Sequence, residues 1–265
     1  MSHLTHGWER DLPAGDTVLR DFTDAWAESL ALAVGAAGGR VERLAGVVVT
    51  DPGRPLSYWT SAVLTQPPEY GDGWDAVATT AAAAVPSGRG DLHLWSPWPT
   101  PDLSRHGWRL DGHPPVLLRL PGAPLPPAAG DLEVTEVQDA DGLAEWERLV
   151  VEGYPLTDLQ PYRPGVLFGP GLLDTPMRLW LGRAGGWAVG AAASYVAAGL
   201  HVLIMGVVLP EARRRGYWET LLRTRLEAYP DLPSASLFSD MSRPGAQRHG
   251  YRPISRWTLW TRPTG

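Results

Sequence analysis

Residues 205–225, MGVVLPEARRRGYWETLLRTR, contain the features that decide the fold. The apolar run over residues 203–209 is typical of a buried strand, and Pro210 ends it. Gly216 allows the backbone to approach a ligand closely, and residues 219–226 have the three-to-four spacing of an amphipathic helix. The first amides of a helix lack intrahelical partners and lie at its positive dipole end, so this arginine-rich turn predicts an anion site. A diphosphate is the anion that the arrangement favours.

The turn resembles the cofactor loop of the GNAT superfamily of acetyl-CoA-dependent N-acetyltransferases, which reads Arg/Gln-x-x-Gly-x-Gly/Ala between a strand and a helix. The first arginine and the first glycine match, whereas a tryptophan stands at the last, small position. The resemblance implies that acetyl-CoA or another acyl-CoA binds here, with its pantetheine arm on Val207 and Val208. It implies that the loop holds the diphosphate, through Arg213, Arg214, Arg215, Gly216, Tyr217 and Trp218. The alternative is that the arginines form a solvated cluster beside the helix.

The segments around this turn predict an α/β (α+β) fold. Residues 178–181, 187–196 and 201–209 read as three strands joined by short glycine-containing turns, which is typical of antiparallel hairpins. Residues 236–238 read as a further strand, and Gly250-Tyr251 stands where the family has a Gly-Phe pair. The resemblance covers residues 132–262 and implies a mixed, mostly antiparallel sheet flanked by helices.

The chain contains an internal repeat. The motif RHGWR at residues 105–109 recurs as RHGYR at residues 248–252, a shift of 143 residues. The same shift aligns Arg119 with Arg262. It also aligns a proline that ends a strand, and a glycine that opens a helix, with the equivalent proline and glycine of the second copy. We therefore predict two tandem GNAT-like domains, over residues 1–121 and 131–265, joined by a proline-rich linker at residues 122–130.

The first repeat lacks the cofactor loop. The positions equivalent to the three arginines hold Tyr70, Gly71 and Asp72. A carboxylate at that point repels a phosphate, and the charge-assisted hydrogen bonds are lost. The N-terminal half is therefore predicted to be structural or to form part of the wall of the substrate site.

Hydrophobic periodicity predicts the remaining elements. In the second repeat, Asp139 is predicted to cap a helix at residues 142–151. The irregular segment 154–174 contains Tyr154, Tyr162 and Phe168, which either line an apolar acceptor pocket or anchor the segment. The other predicted elements are helices at 16–37 and 74–85 and strands at 47–49, 57–65, 91–95, 116–120 and 132–137.

Composition excludes several classes of protein. The 265 residues are 44% hydrophobic and 20% charged, which is typical of a globular protein. A chain without cysteine has no disulfide, zinc thiolate site or thiol nucleophile, and its scattered histidines indicate no metal site. A net charge of −6 argues against nucleic acid as a partner. No apolar stretch has the length of a membrane span, and the polar N-terminal sequence predicts a cytoplasmic protein without a signal peptide.

The residues for proton transfer differ from the family pattern. The family's tyrosine acid would stand four residues before the Gly-Phe pair, where this chain has Ala246. For the base, the candidates are His201 on the strand before the loop and Asp240 after the next strand. The alternatives are a structural histidine and a helix cap, and ordered water chains replace both groups in some members of the superfamily.

The sequence thus predicts an acyl-CoA-dependent N-acyltransferase, most simply an N-acetyltransferase acting on a small-molecule or peptide amine. A non-catalytic acyl-CoA-binding or interaction module is the second hypothesis, which Ala246 and Trp218 favour. A structural pair without cofactor is the third, if the indole fills the diphosphate site. The oligomeric state is open, although two fused copies are able to supply within a monomer what a homodimer supplies elsewhere.

Overall fold

The computed structural model describes residue 8 and residues 17–56, 58–69, 72–128, 130–154 and 156–265. The predictions for Asp16, Tyr70 and Gly71 lie outside these residues. The helices are α1 Val18–Ala36, α2 Gly73–Ala84, α3 Ala140–Gly153, α4 Tyr217–Glu227 and α5 Arg243–Arg248. The strands are β1 Arg40–Leu44, β2 Val47–Asp51, β3 Ser61–Leu64, β4 Asp91–Ser96, β5 Arg109–Gly112, β6 Pro115–Arg119, β7 Glu133–Glu136, β8 Arg178–Ala184, β9 Trp187–Ala197, β10 Leu200–Val208, β11 Ser234–Leu237, β12 Arg252–Arg256 and β13 Thr258–Pro263.

The strands form two mixed sheets, which confirms the predicted fold class. The first sheet has the order β1-β2-β3-β4-β13-β5, and the second has the order β12-β6-β11-β10-β9-β8-β7. The 143-residue shift aligns the first residue of β5 with the first residue of β12, and the first residue of β6 with the first residue of β13. In each sheet one parallel pair, β3 with β4 or β10 with β11, accompanies antiparallel neighbours.

The two halves of the chain exchange a strand. Strand β6 of the first repeat lies between β11 and β12 of the second sheet, and β13 of the second repeat lies between β4 and β5 of the first. The division into residues 1–121 and 131–265 therefore describes the repeats along the chain, whereas each sheet contains one strand from the other half. The hydrophobic core is shared as well, because its largest cluster contains residues of α1, α3 and both sheets.

In each repeat, the RHG motif packs against the strand that comes from the other repeat. Arg119 on β6 is buried, and its Nε donates to the carbonyl of His249 at 2.9 Å. A Cβ at Gly250 would lie 3.7 Å from that Nε, and a Cβ at Gly107 would lie 3.3 Å from Nε of Arg262 on β13. Each motif glycine thus packs against the arginine of the strand that comes from the other repeat.

Helix α1 joins the halves and positions one wall of the site described below. The Thr17 side chain caps its first turn by accepting from Arg20 N at 3.1 Å. Its buried face contains Phe22, Trp26 and Leu30, which recur every four residues in the sequence and confirm the predicted amphipathic helix. The helix packs on β2 of the first sheet and on β9 and β10 of the second. Within the described part of the chain, no helix is long and apolar enough to cross a membrane.

Candidate functional site

Strands β10 and β11 diverge and leave a wedge open between them. They pair only at His201 with Ser234 and at Val202 with Ala235. Farther along β10, the register against β9 shifts between Ile204 and Gly206. In the first repeat, by contrast, β3 and β4 pair at three successive positions, and all three are equivalent to residues 204–206 and 236–238, which do not pair with each other. The wedge is therefore a property of the second repeat.

A β-bulge at Met205 turns the backbone toward this wedge, and two side chains hold it. Met205 has φ of 44°, a conformation that costs free energy for a non-glycine residue. The Tyr154 hydroxyl accepts a hydrogen bond from Gly206 N at 2.9 Å. The Arg225 guanidinium donates to the carbonyls of Met205 at 3.2 Å and Ala193 at 3.1 Å. Both interactions fix backbone groups at the point where the strands separate.

Arg225 is a buried cation without a carboxylate partner among the described residues. Its side chain lies on the apolar face of α4, is 2% exposed and binds only carbonyl oxygens. Loss of hydration lowers the pKa of Arg225 to about 10, so the group stays charged at neutral pH. The bulge therefore carries a fixed positive charge behind it. The sequence predicts Arg225 only as part of the helix, and the available signal for its role is a charged residue on the apolar stripe.

The loop between β10 and α4 is held by the first of the three arginines. Arg213 Nε donates to Val208 O, and one of its terminal nitrogens donates to Gly153 O, both at 3.0 Å. Both Val208 and Arg213 were predicted to bind the cofactor. In the structure, the Val208 carbonyl accepts a hydrogen bond from the Arg213 guanidinium. This contact fixes the loop against the end of α3.

The next residues expose the N-terminus of α4. Arg214 and Gly216 both have left-handed backbone conformations, with φ of 64° and 80°. Gly216 is the N-cap of α4, and no side chain in the described part of the chain caps the helix. Tyr217 is buried and its hydroxyl donates to Asp131 at 2.7 Å, which anchors the helix start. The uncapped amides and the exposed Arg214 are the groups with which this loop is able to bind a diphosphate.

The Trp218 indole lies between the ends of the diverging strands. It packs edge to face on Phe238, with 6.4 Å between ring centroids. A Cβ at Gly245 of α5 would come within 2.7 Å of its six-membered ring, and a Cβ at Gly206 within 3.5 Å of its Nε1. Two glycines thus make room for the large side chain that replaces the family's small residue. The ring narrows the wedge.

One cavity of about 700 Å³ connects these features. It runs from the start of α4, past the bulge, to side chains of the N-terminal half. Of the residues predicted to bind cofactor, it is lined by Val207, Val208, Arg213, Arg214, Gly216, Tyr217 and Trp218, whereas Arg215 is exposed outside it. Its far end is lined by Trp26, Ser29, Leu30 and Ala33 of α1, with Tyr58, Trp59, Leu156 and Met177. The N-terminal half therefore supplies a wall of this cavity.

The candidate bases do not line the cavity. His201 is fully buried in β10 against Tyr229, with 4.7 Å between ring centroids. Burial lowers the pKa of His201 to about 3, so its imidazole is neutral. Asp240 is exposed between the cavity-lining residues Ser239 and Met241. The catalytic assignments of His201 and Asp240 stay predictions. Ala246 is fully buried and has no group to donate a proton.

Of the three aromatic residues in the irregular segment, Tyr154 lines the cavity. Phe168 is buried in the core, and the Tyr162 hydroxyl donates to Ala144 O at 2.6 Å and to Glu147 at 2.8 Å. The buried Glu147 carboxylate also accepts from three backbone amides of residues 165–168 at 2.6–2.7 Å. Glu147 therefore holds the segment against α3.

Solved structures resemble this chain over nearly its whole length. A GCN5-related N-acetyltransferase from Kribbella flavida has a TM-score of 0.64 at 19% identity, covering 94% of this chain and 96% of its own. A putative GNAT-family acetyltransferase from Novosphingobium aromaticivorans has a TM-score of 0.55 at 16% identity, covering 89% and 95%. The chain has the GNAT fold.

A third GNAT-fold structure, the GCN5-related N-acetyltransferase from Sphaerobacter thermophilus, has a TM-score of 0.51 at 16% identity and covers 92% of this chain and 93% of its own. Neither a protein-family model nor a curated protein matches the sequence. The resemblance seen in the residues 205–225 is thus confirmed at the level of the fold.

Proposed function

We propose that this protein is an acyl-CoA-dependent N-acyltransferase that moves an acetyl group from acetyl-CoA to an amine. The observation that carries the proposal is the cavity that joins the uncapped start of α4 to the β10 bulge, at the point where β10 separates from β11. Bound acyl-CoA supplies the acyl group as an activated thioester. The α4 amides and Arg214 hold the diphosphate, and the edge of β10 near Val207 directs the pantetheine arm toward the bulge.

Tyr154 is our candidate for the proton donor to the leaving thiolate. Its hydroxyl is fixed at Gly206, where it accepts from the backbone N–H at 2.9 Å and donates to the carbonyl at 3.3 Å, a long hydrogen bond that the proton leaves when it passes to the thiolate. Loss of hydration raises the pKa of Tyr154, so the phenol keeps its proton at neutral pH and is able to donate it. This assignment replaces the tyrosine that is missing at Ala246 with one from the end of α3.

The test measures CoA and acetyl-CoA binding by calorimetry and thiol release with a panel of amines. Binding together with amine-dependent thiol release supports the transferase. Binding without release on any amine supports the second candidate, an acyl-CoA-binding module, which the Trp218 indole in the wedge and the missing acid at Ala246 favour. Absence of binding contradicts both.

A further inference from the structure

The end of the cavity beyond the bulge is apolar and aromatic. Trp26, Leu30 and Ala33 of α1 are each at most 5% exposed and form one side. Trp59, Leu156 and Met177 face the same space. Such walls favour a bulky apolar group, since each buried apolar side chain or ring gains free energy in proportion to the area removed from water.

The charges around the cavity are unsuitable for a cationic acceptor. Among the described residues that line it, Glu219 is the one carboxylate, and it is paired with Arg248 at 2.8 Å on the α4 side. Arg225 stands behind the bulge, and its hydrogen-bond partners among residues that the structure describes are all carbonyl oxygens. A nearby unpaired cation disfavours the ammonium form of a bound amine and lowers its pKa.

From these two observations, and resting on the proposed function, we infer that the acceptor is a primary amine carried on a bulky apolar or aromatic group, without a second positive charge, and that it binds as the free base. The amine nitrogen forms the new C–N bond to the acyl carbon while the C–S bond breaks. The amine proton passes to solvent and the thiolate gains one from Tyr154, which solvent reprotonates, so the products are an amide and the free thiol. A base strong enough to deprotonate an ammonium ion inside the cavity is then unnecessary.

The experiment compares 2-phenylethylamine with 1,5-diaminopentane at saturating acetyl-CoA, using wild-type protein. We expect kcat/KM to be about ten- to a hundredfold higher for the aromatic amine, from the area of one buried ring. We expect kcat/KM to rise with pH in step with the free-base fraction of the amine. An equal or better reaction of the diamine overturns the inference but leaves the transferase proposal standing.

A matched pair of variants tests the charge argument. Tyr58 lines the cavity and is 41% exposed, so a polar replacement is compatible with folding. Tyr58→Glu places a carboxylate at the apolar end, and we expect the preference for 2-phenylethylamine over the diamine to fall at least fivefold relative to Tyr58→Gln. Equal preferences in the two variants would overturn the inference.

Two further measurements separate the remaining outcomes. If octanoyl-CoA is a better donor than acetyl-CoA and the aromatic preference is absent, the apolar end holds an acyl chain and the inference is wrong. If CoA binds without turnover, the proposed transferase fails, and equilibrium binding of both amines to the CoA-loaded protein still decides the question. Tighter binding of 2-phenylethylamine then supports the apolar acceptor site, whereas tighter binding of the diamine, or binding of neither, overturns it.

Discussion

The backbone N–H of Trp257 donates to the carbonyl of Pro114 at 3.0 Å. These two residues are 143 positions apart, so they are equivalent positions of the two repeats. Each lies between the last two strands of its repeat, where the chain leaves one sheet and enters the other. The two repeats are therefore hydrogen-bonded to each other at the point where each passes from one sheet to the other.

The strand exchange predicts unequal effects of two equivalent arginines. Arg119→Leu removes donors to the carbonyls of His249 and Ala123 in a buried site, so we expect a loss of about 2–3 kcal/mol in the free energy of unfolding. Arg262→Leu, at the partly buried equivalent position, is the control and should cost roughly 1 kcal/mol or less. Urea unfolding measures both. Equal losses would show that the buried hydrogen bonds of Arg119 are not the cause.

From the geometry of the cofactor loop, we predict that its arginines contribute unequally to CoA affinity. Arg214→Gly removes a cation at the cavity while suiting the left-handed backbone, and we expect CoA affinity to fall by about fivefold, corresponding to roughly 1 kcal/mol for an exposed charge. Arg215→Ala is the matched control, because Arg215 lies outside the cavity lining. Calorimetry with CoA measures both. A larger loss for Arg215 would mean that the diphosphate lies on the outer side of the loop.

From the position of the Trp218 indole, we predict that two substitutions change CoA affinity in opposite directions. Trp218→Ala opens the wedge and should raise CoA affinity roughly threefold, at a cost of about 2 kcal/mol in stability for the half-buried ring. Gly245→Ala places a methyl group 2.7 Å from the ring and should push the indole toward the cavity, lowering CoA affinity. Weaker binding by Trp218→Ala would show instead that the indole contacts the cofactor.

The Tyr154 hydroxyl predicts a selective loss of turnover. Tyr154→Phe should lower kcat about a hundredfold and leave CoA affinity within roughly threefold, since the proposed role of the hydroxyl is proton donation to the leaving thiolate and its contacts within the protein are with Gly206. Tyr162→Phe is the control, because its hydroxyl binds Ala144 and Glu147 outside the cavity. Steady-state kinetics and calorimetry separate the two effects. Unchanged kcat in Tyr154→Phe would restrict this tyrosine to supporting the bulge.

Buried His201 predicts a pH dependence of stability. The unfolded chain binds a proton at this residue below its usual pKa near 6.5, whereas the folded pKa is about 3. Stability from this residue is therefore complete above pH 6.5 and is lost as the pH falls toward 3. Between pH 7.5 and 5.5, wild type should lose about 1.4 kcal/mol more than His201→Leu, measured by urea unfolding. If His201→Leu instead abolishes thiol release with no change in this pH dependence, the residue is the general base.

The sequence predicted the repeat and most elements of both sheets, but not the strand exchange. The reason is that β6 and β13 occupy equivalent positions in the two repeats. Exchanging them between the sheets therefore changes no local sequence pattern of hydrophobic residues or turns. Only contacts between residues more than a hundred positions apart, such as Arg119 with His249, distinguish the two arrangements.

The parts of the site that are formed by backbone groups could be predicted from the sequence. The parts that are formed by side chains from distant elements could be predicted less well. Gly216 and the arginines after Pro210 indicated the loop, because turn chemistry is local. The roles of Arg225 and of Trp26 on α1 depend on packing between distant elements. His201 illustrates the same limit: it stands near the beginning of a strand, yet that strand is central in its sheet and Tyr229 covers the ring.

The position of β13 also determines when the protein is able to complete its folding during synthesis. Because β13 lies between β4 and β5, the first sheet lacks an inner strand until residues 258–263 have left the ribosome. The N-terminal repeat is thus an exception to the usual order in which domains fold as they emerge, because its sheet is complete only after the strands of the second repeat have been synthesised.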